Sequence, residues 1–124
     1  MRLLFDTHAA LWWLSDDERL GPEAARHLLD ERNDVLLSAA VVWEVGIKRS
    51  LGTLDAPPHL AATLLRAGAQ ALAVTISHAD AAAALPWHHR DPFDRMLVAQ
   101  AQTEGAAIVS RDEKLLPYGV PLVW

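Results

Sequence analysis

The stretch Met1-Arg-Leu-Leu-Phe-Asp-Thr-His8 places a short, mainly apolar run at the start of the chain and ends it at a carboxylate. A run of this length, Arg2–Phe5, is typical of a buried strand that is too short for a helix. Asp6 or Thr7 can then cap an apolar helix that extends from Ala9 to Leu14. The opening of the chain therefore predicts a strand that leads directly into a helix.

The same alternation continues to the last residue. Further strands are predicted at 35–37, 72–76, 107–109 and 120–123, and helices at 22–30, 39–50, 57–68, 78–84, 92–103 and, for one turn, 113–116. Ser77 and Asp80 predict a capping box for the helix that begins at His78. Alternating strands and helices predict an α/β fold of three layers, a central parallel sheet with helices on both faces, in one domain over residues 1–124.

The composition excludes several classes of site. With 52% hydrophobic residues and no cysteine, the chain is globular and has neither a disulfide nor a thiolate metal site. No export or membrane-spanning segment is apparent, so we expect a cytoplasmic protein. The net charge of −5 argues against nucleic-acid binding, unless the acids surround a divalent cation and cease to repel phosphates.

Two acids directly follow predicted strands. Asp6 ends the first strand, and Asp112 follows Ser110-Arg111 after the strand at 107–109. Either acid alone is more often a helix cap or a turn residue than a catalytic group. Because ligands bind at the carboxyl ends of the strands in such sheets, we expect both side chains to open onto the same edge.

Two further acids lie in the first turns of helices. Glu44 lies in the helix Ala39-Ala-Val-Val-Trp-Glu44, which is so apolar that it must be largely buried, although a salt bridge to Lys48 is an alternative role. Asp94 can simply compensate a helix dipole, and Asp91 is placed as the cap of that helix. Adjacent histidines, His88 and His89, are interpreted as surface groups of a polar loop.

Acids gathered at one edge would repel one another unless a cation neutralised them. Oxygen ligands without cysteine suit a hard ion such as Mg²⁺, with Mn²⁺ as an alternative. Such an ion can activate water for hydrolysis of a phosphodiester. Receiver domains and haloacid-type phosphatases also have acids at strand ends, but the Asp6-Thr-His8 sequence lacks their acidic pairs. A non-catalytic binding module, in which the acids only cap helices, remains an alternative.

Four segments together resemble the acidic motifs of PIN domains and, more narrowly, of VapC-type toxins. They are Leu3-Leu-Phe-Asp-Thr-His8, Ser38-Ala-Ala-Val-Val-Trp-Glu44, His89-Arg-Asp-Pro-Phe-Asp-Arg-Met-Leu-Val-Ala-Gln100 and Val109-Ser-Arg-Asp112. The resemblance implies a metal-dependent endoribonuclease that is held inactive by a VapB-type antitoxin and forms a homodimer. It implies a catalytic metal site made of Asp6, Glu44, Asp94 and Asp112, with Thr7 and Ser110 as supporting hydroxyls.

The sequence also suggests contacts with RNA and with the antitoxin. Lys48, Arg90, Arg95 and Arg111 neighbour the acids and are candidates for phosphate binding, with ion pairing to the same acids as the alternative. His8 could orient substrate or water, and an ordinary structural place in the first turn of the helix is an equally good alternative. Trp12 and Trp13 lie about 100° apart on a helix, so at least one of them is predicted to lie toward its exposed side and to anchor an antitoxin helix. The alternative is that both tryptophans pack in the monomer core or in a homodimer contact.

Overall fold

The computed structural model describes residues 1–124 and contains one five-stranded sheet in which every strand pair is parallel. The strand order is β3-β2-β1-β4-β5. The strands are β1 (Arg2–Phe5), β2 (Asp34–Ser38), β3 (Gln70–Leu72), β4 (Ala107–Val109) and β5 (Leu122–Val123).

Six α-helices and one 3-10 helix connect and flank these strands. They are α1 (Thr7–Leu14), α2 (Pro22–Leu29), α3 (Ala39–Ser50), α4 (Leu60–Arg66), α5 (Ile76–Ala84), α6 (Pro92–Glu104) and the 3-10 helix Glu113–Tyr118. None of these helices has both the length and the apolar character needed to span a membrane.

The sheet is covered on both faces. Side chains along a strand point alternately to the two faces, yet the consecutive residues Leu3, Leu4 and Phe5 of β1 are all fully buried. In β4, Ile108 and Val109 are fully buried as well. Burial of successive residues requires packing on each side, so the predicted α/β arrangement with a central parallel sheet is confirmed.

The strand order places a crevice beside β1. From β1 the chain moves outward to β2 and β3, and later returns to β4 on the other side of β1. The carboxyl ends of β1 and β4 therefore border the point where the strand order reverses, which is where open parallel sheets bind ligands. Asp6 follows β1 at this point, and Ser110 follows β4.

Several predicted boundaries were wrong. The strand predicted at 72–76 is β3, Gln70–Leu72, because its pairing with β2 ends opposite Ser38. The helix predicted from 78 begins at Ile76, because Thr75 and His78 form the capping box in place of Ser77 and Asp80. The helix predicted from 57 begins at Leu60, after His59 adopts a left-handed conformation.

Candidate active site

A polar cleft opens at the carboxyl ends of β1, β2 and β4. Its volume is about 670 Å³. Six carboxylates and three cationic side chains are among its lining residues, which are Asp6, Thr7, His8, Trp12, Glu44, Lys48, Asp91, Asp94, Arg111, Asp112, Glu113, Lys114 and Trp124. All four acids predicted for the site line this cleft. Its six carboxylates outnumber its three cationic side chains, so the cleft carries a net negative charge.

Asp6 has two structural relationships in the cleft. Its Oδ1 accepts a 2.8 Å hydrogen bond from the backbone N–H of Ala9, so it is the N-cap of α1. Burial raises the pKa of the Asp6 carboxyl, against the lowering effects of the Ser110 hydroxyl and the Ala9 N–H. The nearby charge of Asp112 raises it further. Asp6 is therefore both a cap and a carboxylate whose negative charge is poorly stabilised.

Asp94 lies on the first turn of α6. Asp91 is the N-cap of this helix, as predicted, and its Oδ1 accepts hydrogen bonds from the N–H groups of Phe93 and Asp94. The Asp94 side chain lies 2.7 Å from Nε2 of His89. Burial raises the pKa of Asp94, the hydrogen bond with His89 lowers it, and the charges of Asp91 and Glu44 raise it.

Glu44 is buried and already has two partners. Thr7 Oγ1 donates a 2.5 Å hydrogen bond to Glu44 Oε1, and Lys48 Nζ donates a 2.5 Å hydrogen bond to Oε2. The bond to Glu44 raises the pKa of Lys48, as do the charges of Asp91 and Asp94. The alternative of a salt bridge to Lys48 is thus present in the structure, at the wall of the same cleft.

Asp112 precedes the 3-10 helix and caps it by accepting a hydrogen bond from the backbone N–H of Lys114. Ser110 Oγ accepts a 3.0 Å hydrogen bond from the backbone N–H of Asp112, which fixes the turn after β4. Ligand atoms of His89, Asp94 and Asp112 all lie within 4.8 Å of one another, a spacing that suits one metal ion. Asp6 and Glu44 are outside this group, although they line the same cleft.

The family model of the PIN domain matches residues 3–119 of the chain. The chain belongs to the PIN-domain family. It is also 30% identical to Ribonuclease VapC22 of Mycobacterium tuberculosis (strain ATCC 25618 / H37Rv), in an alignment that covers 96% of this chain and 93% of that protein.

Solved structures share the fold of this PIN domain. VapBC2 from Rickettsia felis, bound to a DNA fragment from its promoter, matches 98% of this chain and 97% of its own at a TM-score of 0.71 and 13% identity. The match to VapBC-1 from nontypeable Haemophilus influenzae covers 98% of this chain and 96% of that chain, with a TM-score of 0.65 and 15% identity. The match to FitAcB from Neisseria gonorrhoeae covers 97% of this chain and 95% of that chain, with a TM-score of 0.63 and 18% identity.

The side chains of this PIN domain fit a divalent cation. Asp6 and Asp94 are carboxyls whose pKa is raised mainly by burial, so their charged forms lack sufficient stabilisation from the protein. A cation among such groups favours their charged forms and removes their mutual repulsion. A donor set of carboxylate oxygens, with no thiolate, suits Mg²⁺ or Mn²⁺.

The four cations predicted to bind phosphate have different environments. Arg111 lines the cleft, whereas Arg90 is exposed and is not part of the lining. Lys48 lines the cleft and is paired with Glu44. For Arg95, both roles were wrong, because the side chain is 5% exposed and donates to the carbonyl oxygens of Ala82, Leu85 and Pro86.

The prediction that Trp12 or Trp13 is exposed was wrong as well. Trp12 is buried against His8 and Trp124, with ring centroids 5.3 Å and 5.7 Å away, and forms a wall of the cleft. Trp13 packs on Phe5. The exposed tryptophans are Trp43 and Trp87 instead. Because neighbouring elements cover more than one side of α1, the 100° separation of the two rings left neither of them exposed.

The prediction that both adjacent histidines are surface groups was wrong for His89. Its ring is half-buried beside Asp94, while the ring of His88 packs on Tyr118. The sequence carries one usable signal, since His89 closely precedes the acidic segment Asp91–Asp94. Only the path of the loop before α6 decides which of the adjacent histidines faces the acids.

Proposed function

We propose that this PIN domain is a divalent-metal-dependent endoribonuclease and the toxin of a VapBC-type toxin–antitoxin pair. The observation that carries the proposal is the cleft of six carboxylates at the reversal point of the sheet, in a chain 30% identical to a VapC ribonuclease. An acidic cleft repels RNA unless cations occupy it, and hydrolysis of phosphodiesters is the chemistry that bound divalent cations support.

Asp6, Asp94, Asp112 and Glu44 are the residues proposed to hold the metal, which is Mg²⁺ or Mn²⁺. When bound, the metal supplies activation of a water and stabilisation of charge on the leaving oxygen. Asp94 and Asp112 provide the close pair of carboxylates, and Asp6 lies near enough to Asp112 for their charges to interact. A carboxylate that only caps a helix has no need to be buried without a compensating positive charge. The raised pKa of Asp6 and of Asp94 therefore supports this assignment.

Polar side chains beside the acids hold them in place. Thr7 holds one oxygen of Glu44, and Lys48 holds the other, so Glu44 has a fixed orientation before any ligand binds. Ser110 fixes the backbone of Asp112 and lies beside Asp6. These contacts preorganise the acids, which reduces the rearrangement needed for the reaction.

Arg111 and Lys114 are proposed to bind the phosphates next to the scissile bond. Both line the cleft, and the Arg111 guanidinium lies 4.8 Å from the ring centroid of Trp12. A cation held over an aromatic face keeps donors free for phosphate oxygens while its position is restricted. The cleft therefore combines a centre for metal with a cationic rim for the RNA backbone.

The test is cleavage of single-stranded RNA by the purified chain with Mg²⁺, with Mn²⁺ or with EDTA, followed by mapping of the cut ends. We expect internal cuts that require metal and that Asp94→Asn abolishes. The matched control is Asp80→Asn, an exposed acid on α5 outside the cleft, which should cleave normally. Cleavage that persists in EDTA, or in Asp94→Asn, would contradict the proposal.

The proposed partner is a small VapB-type antitoxin. An excess of carboxylates lines the cleft, so an antitoxin with an arginine or lysine that reaches it would be attracted there and would compete with metal. Co-expression with the adjacent open reading frame should yield a complex without RNase activity. An active toxin, or a product that does not co-purify, would contradict this partner.

We also propose a homodimer. The groove between α3 and α6 is apolar and uncovered, and is lined by Ala39, Ala40, Trp43, Val74, Pro92, Phe93 and Met96. Trp43 is 66% exposed, although its ring lies 5.4 Å from that of Phe93. A second copy that presents the same groove would cover these rings in a twofold interface.

A further inference from the structure

We propose that His89 supplies an imidazole nitrogen ligand to the metal centre, and that this ligand favours Mn²⁺ over Mg²⁺. The inference rests on the proposed function, since it concerns the metal that the nuclease would use. Nε2 of His89 is 2.7 Å from Asp94 Oδ2, and the two residues form a close donor group with Asp112.

The loop that carries His89 is anchored from two directions. Tyr118, at the end of the 3-10 helix, accepts a 2.9 Å hydrogen bond from the backbone N–H of His89 and donates one of 3.0 Å to Pro86 O. Arg95 donates to Pro86 O at 2.9 Å and to Leu85 O at 3.0 Å.

Trp87 completes this arrangement by covering Arg95. The Arg95 guanidinium lies 3.8 Å from the centroid of the Trp87 ring and is itself buried. An arginine buried only to satisfy loop carbonyls is costly, and here its effect is to fix the backbone just before His89. Such support from surrounding contacts is typical of residues that must present a ligand in one orientation.

A nitrogen donor changes which ion the site prefers. Mg²⁺ favours oxygen ligands, whereas transition ions accept imidazole more readily. Only a neutral imidazole can bind metal, and the His89 nitrogen that would do so lies within 4.8 Å of ligand atoms of Asp94 and Asp112. The alternative is that His89 merely donates a hydrogen bond to Asp94, in which case the ion would have oxygen ligands only.

Pulsed EPR of the Mn²⁺-loaded protein separates these two possibilities without reference to cleavage. We expect ¹⁴N modulation from a bound imidazole, and a changed modulation when the histidines carry ¹⁵N. His89→Gln should lose the modulation, while His88→Gln, which alters the adjacent histidine, should keep it. Bound Mn²⁺ without nitrogen modulation in the unmodified protein would overturn the proposal, and RNA cleavage by that same sample would leave the proposed function intact.

Calorimetric titration supplies the second measurement. His89→Gln should weaken Mn²⁺ binding on the order of 10-fold, which is the lower end of the loss in metal affinity when a supporting residue of a metal site is removed. It should weaken Mg²⁺ binding much less. Thermal unfolding of the metal-free variants verifies that each is folded before titration. Equal weakening for both ions, or none for Mn²⁺, would overturn the proposed selectivity.

Discussion

The side chain of Asp6 accepts a 2.8 Å hydrogen bond from the backbone N–H of Ala9, so a carboxylate that lines the acidic cleft is also the N-cap of α1. The two roles have different consequences for substitution. Asparagine caps helices as well as aspartate does, but carries no charge. The charge of Asp6 can therefore be removed while the cap is kept.

Asp6→Asn should raise the free energy of unfolding at neutral pH in EDTA. The folded pKa of Asp6 is raised by burial, so the folded state binds its proton more tightly than the unfolded chain, whose aspartate pKa is about 3.9. The resulting destabilisation is complete above the folded pKa and disappears as pH falls below the unfolded value. The advantage of Asp6→Asn should accordingly shrink toward about pH 4.

Denaturant unfolding in EDTA at several pH values measures this advantage. Asp6→Ala is the control, because it removes the same charge but also the cap, and should be about 1 kcal/mol less stable than Asp6→Asn. In saturating Mg²⁺ the unmodified protein should become more stable than Asp6→Asn, since only the unmodified protein gains binding energy from the Asp6 charge. An Asp6→Asn variant that is less stable at every pH would indicate that the carboxylate is only a cap.

Arg111→Ala should weaken RNA binding and reduce its dependence on salt. Loss of one phosphate contact lowers the slope of log K against log[salt] by roughly 0.7 for single strands. Binding of RNA to an Asp94→Asn background, which prevents cleavage, can be titrated from ~50 mM to ~200 mM salt. Arg90→Ala is the matched control outside the cleft lining, and an equal change in both variants would contradict a specific role for Arg111.

Arg95→Lys should destabilise the fold by about 2–4 kcal/mol, because a single ammonium cannot satisfy the separate carbonyl groups that the guanidinium reaches. Amide hydrogen exchange should quicken in residues 85–90, which these carbonyls anchor. Arg66→Lys, a change of the same kind at an exposed position of α4, should alter stability by less than about 0.5 kcal/mol. Unchanged exchange in the loop would show that Arg95 does not fix it.

Trp43→Arg should convert the proposed homodimer to a monomer. A charge placed in an apolar interface cannot be compensated by the symmetric copy, which carries the same charge. Light scattering after size exclusion measures the mass directly. Leu29→Arg, at a similarly exposed apolar residue on α2, should remain dimeric, and a monomeric unmodified protein would contradict the dimer.

Much of the fold could be predicted because its signals are local. Short apolar runs alternate with longer amphipathic or apolar segments, and this alternation predicts a parallel sheet. The errors occurred where a boundary depends on partners. β3 ends where its pairing with β2 ends, and α5 begins at Ile76 because His78 returns a hydrogen bond to Thr75.

The acids could be predicted for a related reason. Parallel strands bring their carboxyl ends to one edge, so Asp6 and Asp112 could be placed at the same edge once the strands were identified. Glu44 was recognisable because a carboxylate in an apolar helix needs partners. The partners themselves, Thr7 and Lys48, are a matter of tertiary packing, although Lys48 also lies one helical turn away.

The sequence by itself determined the alternation of strands and helices along the chain, the acids at the strand ends and the absence of thiolate chemistry. These depend on residue type and on spacing along the chain. Tertiary structure alone decided that Arg95 is buried, that Trp12 forms a cleft wall while Trp43 is exposed, and that His89 rather than His88 faces Asp94. Each of these depends on how distant segments cover one another, and no local periodicity specifies that covering.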